Sequence, residues 1–247
     1  MDKQPDMEWF DYVISKLEDV DDVLLMEGHQ KSHKKVSDAI DLLTWSEENL
    51  MKGALPCIAS RHSTRKFKPE PIEEEKLRQV IEAGRQAPSG KNKQQNHFLV
   101  VRDKAVLDTL VRLVQEEFAK MEVTEGMYKS MANAIRASKG EKYIFHYDPA
   151  VLILTANRAD YSNNIADCAC VLENMMVMAN ALDLGSCWIN QLKWLNENEP
   201  VTAYLRTLGL AQGERVYGAV SIGYAKTEDG LPSRKPLPRT GNPVTFI

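Results

Sequence analysis

Hydrophobic spacing along the chain changes character near residue 54. Before it, Trp9, Phe10, Val13, Ile14 and Leu17 recur at three- and four-residue intervals, and Val36, Ile40, Leu43 and Leu50 continue the period. Such spacing predicts amphipathic helices. Gly53 and Pro56 punctuate the end of this Asp-, Glu- and Lys-rich stretch. Residues 1–53 are therefore expected to form a helical extension packed on the main body or on a partner subunit, and residues 54–247 a second domain. In that domain, Glu73 to Arg85 reads as a helix with carboxylates in its first turn. His97 to Asp103 begins with a short apolar strand, and Lys104 to Met121 returns to helical periodicity. Ala150 to Thr155 is a β-branched run suited to a buried central strand. Ile165 to Leu184 is apolar on several sides and reads as a buried helix with Gly185 at its C-terminal cap. Ser186–Asn190 and Val216–Gly223 read as further strands, with a helix over Pro200–Leu208 between them. The polar stretch 122–148 is expected to form helices over the body or a mobile cover. The tail from Asp229, rich in Pro and Gly, must be extended and needs a surface to lie on. The chain is expected to adopt an α+β fold, a mixed and mostly antiparallel sheet flanked by helices.

Composition narrows the function. With 43% hydrophobic and 27% charged residues in 247, the chain has the make-up of a globular protein. Its formal net charge of −4 provides no basic field for nucleic acid. No run reaches the roughly 18 apolar residues of a membrane helix, and the opening MDKQPDMEWFDYV does not read as a signal peptide. Four unevenly spaced cysteines, Cys57, Cys168, Cys170 and Cys187, suit reduced thiols in a cytoplasm better than a disulfide framework.

The most informative short motif is Ser60-Arg61-His62-Ser63-Thr64-Arg65. Two guanidinium forks with a hydroxyl between them match the geometry of one phosphate, although a solvated basic loop has the same composition. No Gly-rich phosphate cradle of either common type is present. Other candidates have plainer readings. His29 and His33 have a metal-compatible spacing but no third ligand, and no metal is expected. Cys168 and Cys170 fall on different faces of a helix. Met175, Met176 and Met178 suit a core or a subunit interface. Trp188 either edges a ligand or fills the core.

Four stretches together carry a resemblance. RHSTRKF (61–67), APSGKNKQQNHFLVV (87–101), ENMMVMANALDLGSCWI (173–189), and a Gly-Tyr followed by PSRKPL (232–237) resemble, in order and separation, the signature stretches of the nitroreductase family. The similarity covers about residues 54–247 and excludes the first fifty. It implies a three-layer α/β/α sandwich, a homodimer with FMN at the subunit interface, and a C-terminal arm reaching over the partner. It further implies that Arg61, His62, Ser63 and Arg65 meet the FMN phosphate and the pyrimidine edge of the flavin. Asn92 is then placed against the ring system, with Pro88, Ser89 and Gln94 around it. The strand residues Ser186, Cys187, Trp188, Ile189 and Asn190 turn their backbone to the isoalloxazine, and Arg234 and Lys235 close on the phosphate. One departure stands out: where the family often places a proline and an aromatic residue, this chain has Gln95-Asn96-His97-Phe98.

The function implied is hydride transfer from NAD(P)H through FMN to nitroaromatic, quinone or related small-molecule acceptors by a ping-pong mechanism. The chemistry belongs to the cofactor, so no side-chain acid or base is expected. A specialised flavoenzyme on the same scaffold, such as a dehalogenase or enoate-type reductase, is the alternative within the class. A non-catalytic flavin-binding or partner-recruiting protein is the alternative outside it.

Overall fold

The computed structural model describes residues 7–30, 32–37, 40, 54–234 and 241–247. The chain divides into two compact units, Met1–Cys57 and Ile58–Ile247. In the first unit, α1 (Met7–Met26) is a twenty-residue helix, and residues 32–37 are also helical. Val13, Ile14, Leu17, Asp21 and Leu24 form its half-buried stripe, at the spacing an amphipathic helix requires. Tyr12, Val20, Val23, Leu25 and Met26 are exposed. The side chains of Trp9 and Phe10, with Leu43 and Leu50, lie outside the described residues.

A short helix, α2 (Ala54–Ser60), leads into the second unit. There the elements run α3 (Glu74–Arg85), β1 (His97–Val101), α4 (Lys104–Ala119), α5 (Lys129–Ser138), β2 (Val151–Arg158), α6 (Asn164–Ala181), β3 (Gly185–Ile189), α7 (Gln191–Trp194), α8 (Glu199–Thr207) and β4 (Glu214–Gly223). The sheet order is β1-β2-β4-β3, every pair antiparallel. Ser63 adds a single parallel bridge to Ser186 at the β3 edge. The architecture is the expected α+β one.

Both faces of the sheet are covered, which is why seven of the eight β2 residues are buried rather than every second one. On one face Val151, Ile153, Val220 and Ile222 pack against Leu77 and Val80 of α3 and Leu172 and Met175 of α6. On the other, Leu152, Leu154, Ala156, Val216 and Ala219 pack with Leu110 and Val114 of α4, Ile135 of α5 and Leu205 of α8. Val216 and Ala219 share a face although three residues apart. A bulge opposite Thr155 and Ala156 shifts the register there, and the extra residue on β4 flips the alternation. The stretch 122–148 is packed structure: α5 buries Ala132, Ala134 and Ile135, and Phe145 and His146 are fully buried. It contributes core as well as cover.

The expected cap at Gly185 is corrected by the structure. α6 ends at Ala181, and Asp183 takes the left-handed turn conformation, φ 65°. The Leu184 N–H then closes onto the Ala179 carbonyl at 2.8 Å. Gly185 is already the first residue of β3. It is glycine because a Cβ there would stand 2.6–2.7 Å from the Thr64 side chain. Residues 241–247 have no regular structure, with Val244, Phe246 and Ile247 exposed.

Candidate functional site

The first stretch runs as an extended edge outside β3. The Thr64 N–H donates to the Ser186 carbonyl at 2.8 Å, and Lys68 N–H donates to the Tyr224 carbonyl at 2.9 Å. This pairing brings Arg61, Ser63 and Arg65 to the beginning of β3. There, burial pushes the Cys187 thiol up, and Arg65, the Ser63 hydroxyl and Arg61 all oppose that shift. Arg61, Ser63 and Arg65 thus lie along one end of the β3 edge. Arg65 has no carboxylate within ion-pair distance among the described residues; its guanidinium lies over the Tyr147 ring, 6.0 Å from the centroid. Among the described residues, Arg61 has only a long carboxylate contact, with Glu173 at 3.8 Å. Ser63 and Arg65 are exposed. His62 Nε2 and Ser186 Oγ, one on each side of the Ser63–Ser186 bridge, are buried without a hydrogen-bond partner among the described residues. A polar atom left so costs on the order of 1–3 kcal/mol.

Along β3, Cys187 and Ile189 point into the core. Trp188 packs its ring against the opposite cluster and donates Nε1–H to Asn190 Oδ1 at 2.8 Å, so its body fills the core. Asn190 N–H in turn reaches Gln191 Oε1 at 3.2 Å. What β3 offers a ligand is backbone: beyond the Ser186 bridge its outer edge has no strand partner among the described residues.

The second stretch forms a tight loop before β1. Lys91, Asn92 and Gln94 all have positive φ, between 52° and 54°. The Gln94 N–H donates to Ser89 Oγ at 3.0 Å, and its side-chain amide donates to Asn92 Oδ1 at 3.0 Å. Pro88, Ser89, Asn92 and Gln94 line a cavity of about 450 Å³ with Arg85, Asn96 and Phe98 among its other walls. The buried Asp167 of α6 anchors the loop. Both of its carboxylate oxygens accept from Gly90 N–H, at 3.2 and 3.3 Å, and Tyr161 Oη–H donates to it at 2.9 Å. Asn96, in the region that departs from the family pattern, accepts from Asn157 Nδ2 at 2.9 Å.

The expected site residues thus fall into two groups at opposite ends of α6. Asn180, near its C-terminus, donates to Ser60 Oγ at 2.9 Å, and Arg234 donates to the Asn180 carbonyl at 2.7 Å and to Asp183. Arg234 is therefore beside the first stretch, held on the turn after α6. Lys235 lies outside the described residues. Asp167 and Asn180 are roughly 20 Å apart at 1.5 Å per residue. The sheet order agrees, since β1 and β3 are three strand spacings, roughly 14 Å, apart. The anchors of the two groups are thus apart within one chain, although Arg61 reaches Glu173 midway along α6. Asp167, Asn180 and Tyr147 are contacts that sequence reasoning missed, because each joins segments distant in the chain.

The description Nitroreductase family fits residues 58–224, more than half of the chain. The chain belongs to the nitroreductase family. It is 28% identical over 178 residues to a protein of Archaeoglobus fulgidus named "Putative NADH dehydrogenase/NAD(P)H nitroreductase", spanning 72% of this chain and 88% of that one. Its fold superposes on a Bacteroides fragilis nitroreductase with bound FMN at a TM-score of 0.69 and 30% identity, covering 78% of this chain and 98% of that one. A Desulfitobacterium hafniense nitroreductase with bound FMN shares the fold at a TM-score of 0.65 and 23% identity, over 78% of this chain and 97% of that one. The match takes in residues 61–67 and 88–94 and leaves out residues 1–57 and 225–247, Arg234 among them. Among the described residues, no helix is long and apolar enough to cross a membrane. His33, a candidate metal ligand by spacing, pairs instead with Asp21 at 2.7 Å.

Proposed function

We propose that the chain is an FMN-dependent NAD(P)H oxidoreductase, working as a homodimer and reducing nitroaromatic, quinone or related small-molecule acceptors by ping-pong kinetics. The observation that carries this reading is the gathering of Arg61, Ser63 and Arg65 at the start of β3, with Arg65 unpaired by any described carboxylate. An uncompensated guanidinium, with a second one and a hydroxyl near it, suits a phosphate better than a structural ion pair. The two partnerless buried polar atoms at the same place, His62 Nε2 and Ser186 Oγ, fit a site with more hydrogen-bonding capacity than the chain uses.

In this reading Arg61, Ser63 and Arg65, joined by Arg234 and Lys235, hold the FMN phosphate and the pyrimidine edge. The free backbone edge along Ser186–Asn190 offers donors and acceptors to the ring. Pro88, Ser89, Asn92 and Gln94 are supplied by the other subunit, in keeping with their place before β1, at the sheet edge opposite the β3 edge that carries the arginines. Bound FMN supplies the hydride chemistry, for which no side chain is needed. The protein's part is to position and to set the electrostatics: the fixed charge of Arg65 favours the reduced, more negative flavin. Residues 1–53 act as a structural extension. The net charge of −4 and the four unevenly spaced cysteines suit a cytoplasmic protein without a nucleic-acid partner.

Mass spectrometry of the heat-released chromophore, followed by anaerobic titration with NADH and NADPH, tests the proposal. FMN that bleaches with a nicotinamide and recovers with a nitroaromatic or quinone is the expected result. FAD or a colourless protein overturns it, and a yellow protein that neither nicotinamide bleaches points to flavin binding without catalysis.

A further inference from the structure

Immediately after the first stretch, the edge segment turns and pairs with the residues that follow β4. Phe67 bridges Ala225 in antiparallel fashion, and the Lys226 N–H donates to the Lys66 carbonyl at 2.9 Å. This register sets Lys66 directly opposite Lys226. Side chains so placed have Cβ atoms about 4.5–5.5 Å apart, and like charges there repel. Neither lysine makes a side-chain hydrogen bond or ion pair among the described residues, and both are exposed. Together with Arg65, Phe67, Tyr147 and Asp148 they line an open hollow of about 550 Å³. Asp148, the one carboxylate among the described lining residues, is already engaged by Lys104 at 2.8 Å. Tyr147 and Asp148 both hold left-handed backbone conformations, φ 61° and 57°, which non-glycine residues adopt at a cost and which are concentrated at functional sites.

Three cations around one hollow, two of them forced face to face, call for an anion that none of the described side chains supplies. We propose that this hollow is a second phosphate subsite, distinct from the one for the flavin, and that it takes the 2′-phosphate of NADPH. The proposal rests on the flavin-reductase reading and adds to it a preference for NADPH over NADH. Two dinucleotides that share every other group are told apart only by that phosphomonoester. A dianion between Lys66 and Lys226 removes their repulsion and gains charge-assisted bonds from both. Tyr147 offers a flat ring beside the cations for the attached adenosine. Arg65 belongs to both places, bearing on Cys187 at the start of β3 and lining this hollow, so the two subsites adjoin.

Calorimetry on the protein as purified, with adenosine 2′,5′-bisphosphate and adenosine 5′-monophosphate as probes, tests the subsite without turnover. The bisphosphate should bind roughly 10- to 100-fold more tightly, and the Lys66→Gln/Lys226→Gln variant should abolish the difference. In steady-state assays the same variant should lose a comparable factor in kcat/KM for NADPH, keep its value for NADH, and retain its full FMN content. The charge-preserving Lys66→Arg/Lys226→Arg variant should restore the discrimination. Equal binding of the two probes, or discrimination that survives in the Gln variant, overturns the proposal. Loss of FMN from the Gln variant also overturns it, by assigning the lysines to the flavin site. Protein purified without any flavin would refute the reductase reading, and the probe titration would still decide whether the hollow selects a 2′-phosphate.

Discussion

At the scale of single residues, the charge distribution around Arg65 makes the sharpest prediction. If the guanidinium holds the flavin phosphate and ring edge, Arg65→Ala should weaken FMN binding by about 1.5–3 kcal/mol, roughly 10- to 100-fold. Fluorescence titration of the apoprotein measures this, and unchanged affinity together with an unchanged flavin midpoint potential would reduce Arg65 to a surface charge. His146 gives a second prediction, concerned with stability. It is fully buried, its Nδ1 accepts the Asp148 N–H at 3.0 Å, and burial lowers its pKa from 6.5 to about 4. Between those values the unfolded chain binds a proton that the folded chain refuses, so unfolding free energy rises with pH there. The contribution is complete above about pH 6.5 and is lost as the pH falls towards 4, about 3 kcal/mol in all. Denaturant unfolding of the wild type and of His146→Asn at several pH values checks it: the variant should lose most of the slope, and parallel curves would refute the assignment. Donor chemistry was legible in the sequence at this scale, which is why Arg61, Ser63 and Arg65 could be named. The burial of His146 was not, because a polar stretch gives no sign of what folds over it.

At the scale of elements, α6 organises the site. Its N-terminal end holds the 88–94 loop through Asp167, and its C-terminal end holds Ser60 and Arg234 through Asn180. Its apolar length was readable as a buried helix, and the strand that follows was readable too. The turn between them was misread because Asp183 takes the left-handed conformation that glycine usually supplies, while Gly185 serves close packing against Thr64. Glycine marks either requirement, and only tertiary contact tells which. The short helix α7 and the β4 bulge were invisible for a related reason, since neither alters the hydrophobic period enough to be seen. Asp167→Ala should leave the Gly90 N–H without its acceptor, at about 1–3 kcal/mol, and leave the Tyr161 hydroxyl only its longer bond to the Gly90 carbonyl, 3.3 Å. The loop is expected to loosen first, so FMN affinity should fall while circular dichroism stays that of the wild type. A variant with a lowered melting temperature and wild-type FMN affinity would show that the anchor serves the fold and not the site.

At the scale of the whole molecule, no local pattern reveals to which edge of the sheet each stretch is sent. β4, last in sequence, inserts between β2 and β3 and thereby sends the second stretch to one edge of the sheet and the first to the other. The extension poses a separate question: deleting residues 1–53 should lower thermal stability or loosen the dimer and leave the flavin spectrum intact, whereas a stable truncation without turnover would assign the segment to the substrate site. The composite site can be tested by complementation. One chain carries Arg65→Ala. The other carries Asn92→Gly, which removes the side chain while preserving the positive φ of 52° at that position. Each homodimer should bind FMN weakly at both sites. If every site combines Arg65 of one subunit with Asn92 of the other, the mixed dimer has one site built from two intact halves and one site carrying both lesions. Purified through two different affinity tags, it should retain close to one tightly bound FMN per dimer. If each site were built within a single chain, every site in the mixed dimer would carry one lesion and no tight binding would return. The stoichiometry of the mixed dimer therefore separates the two arrangements, and a monomeric protein that binds FMN tightly would refute the shared site outright.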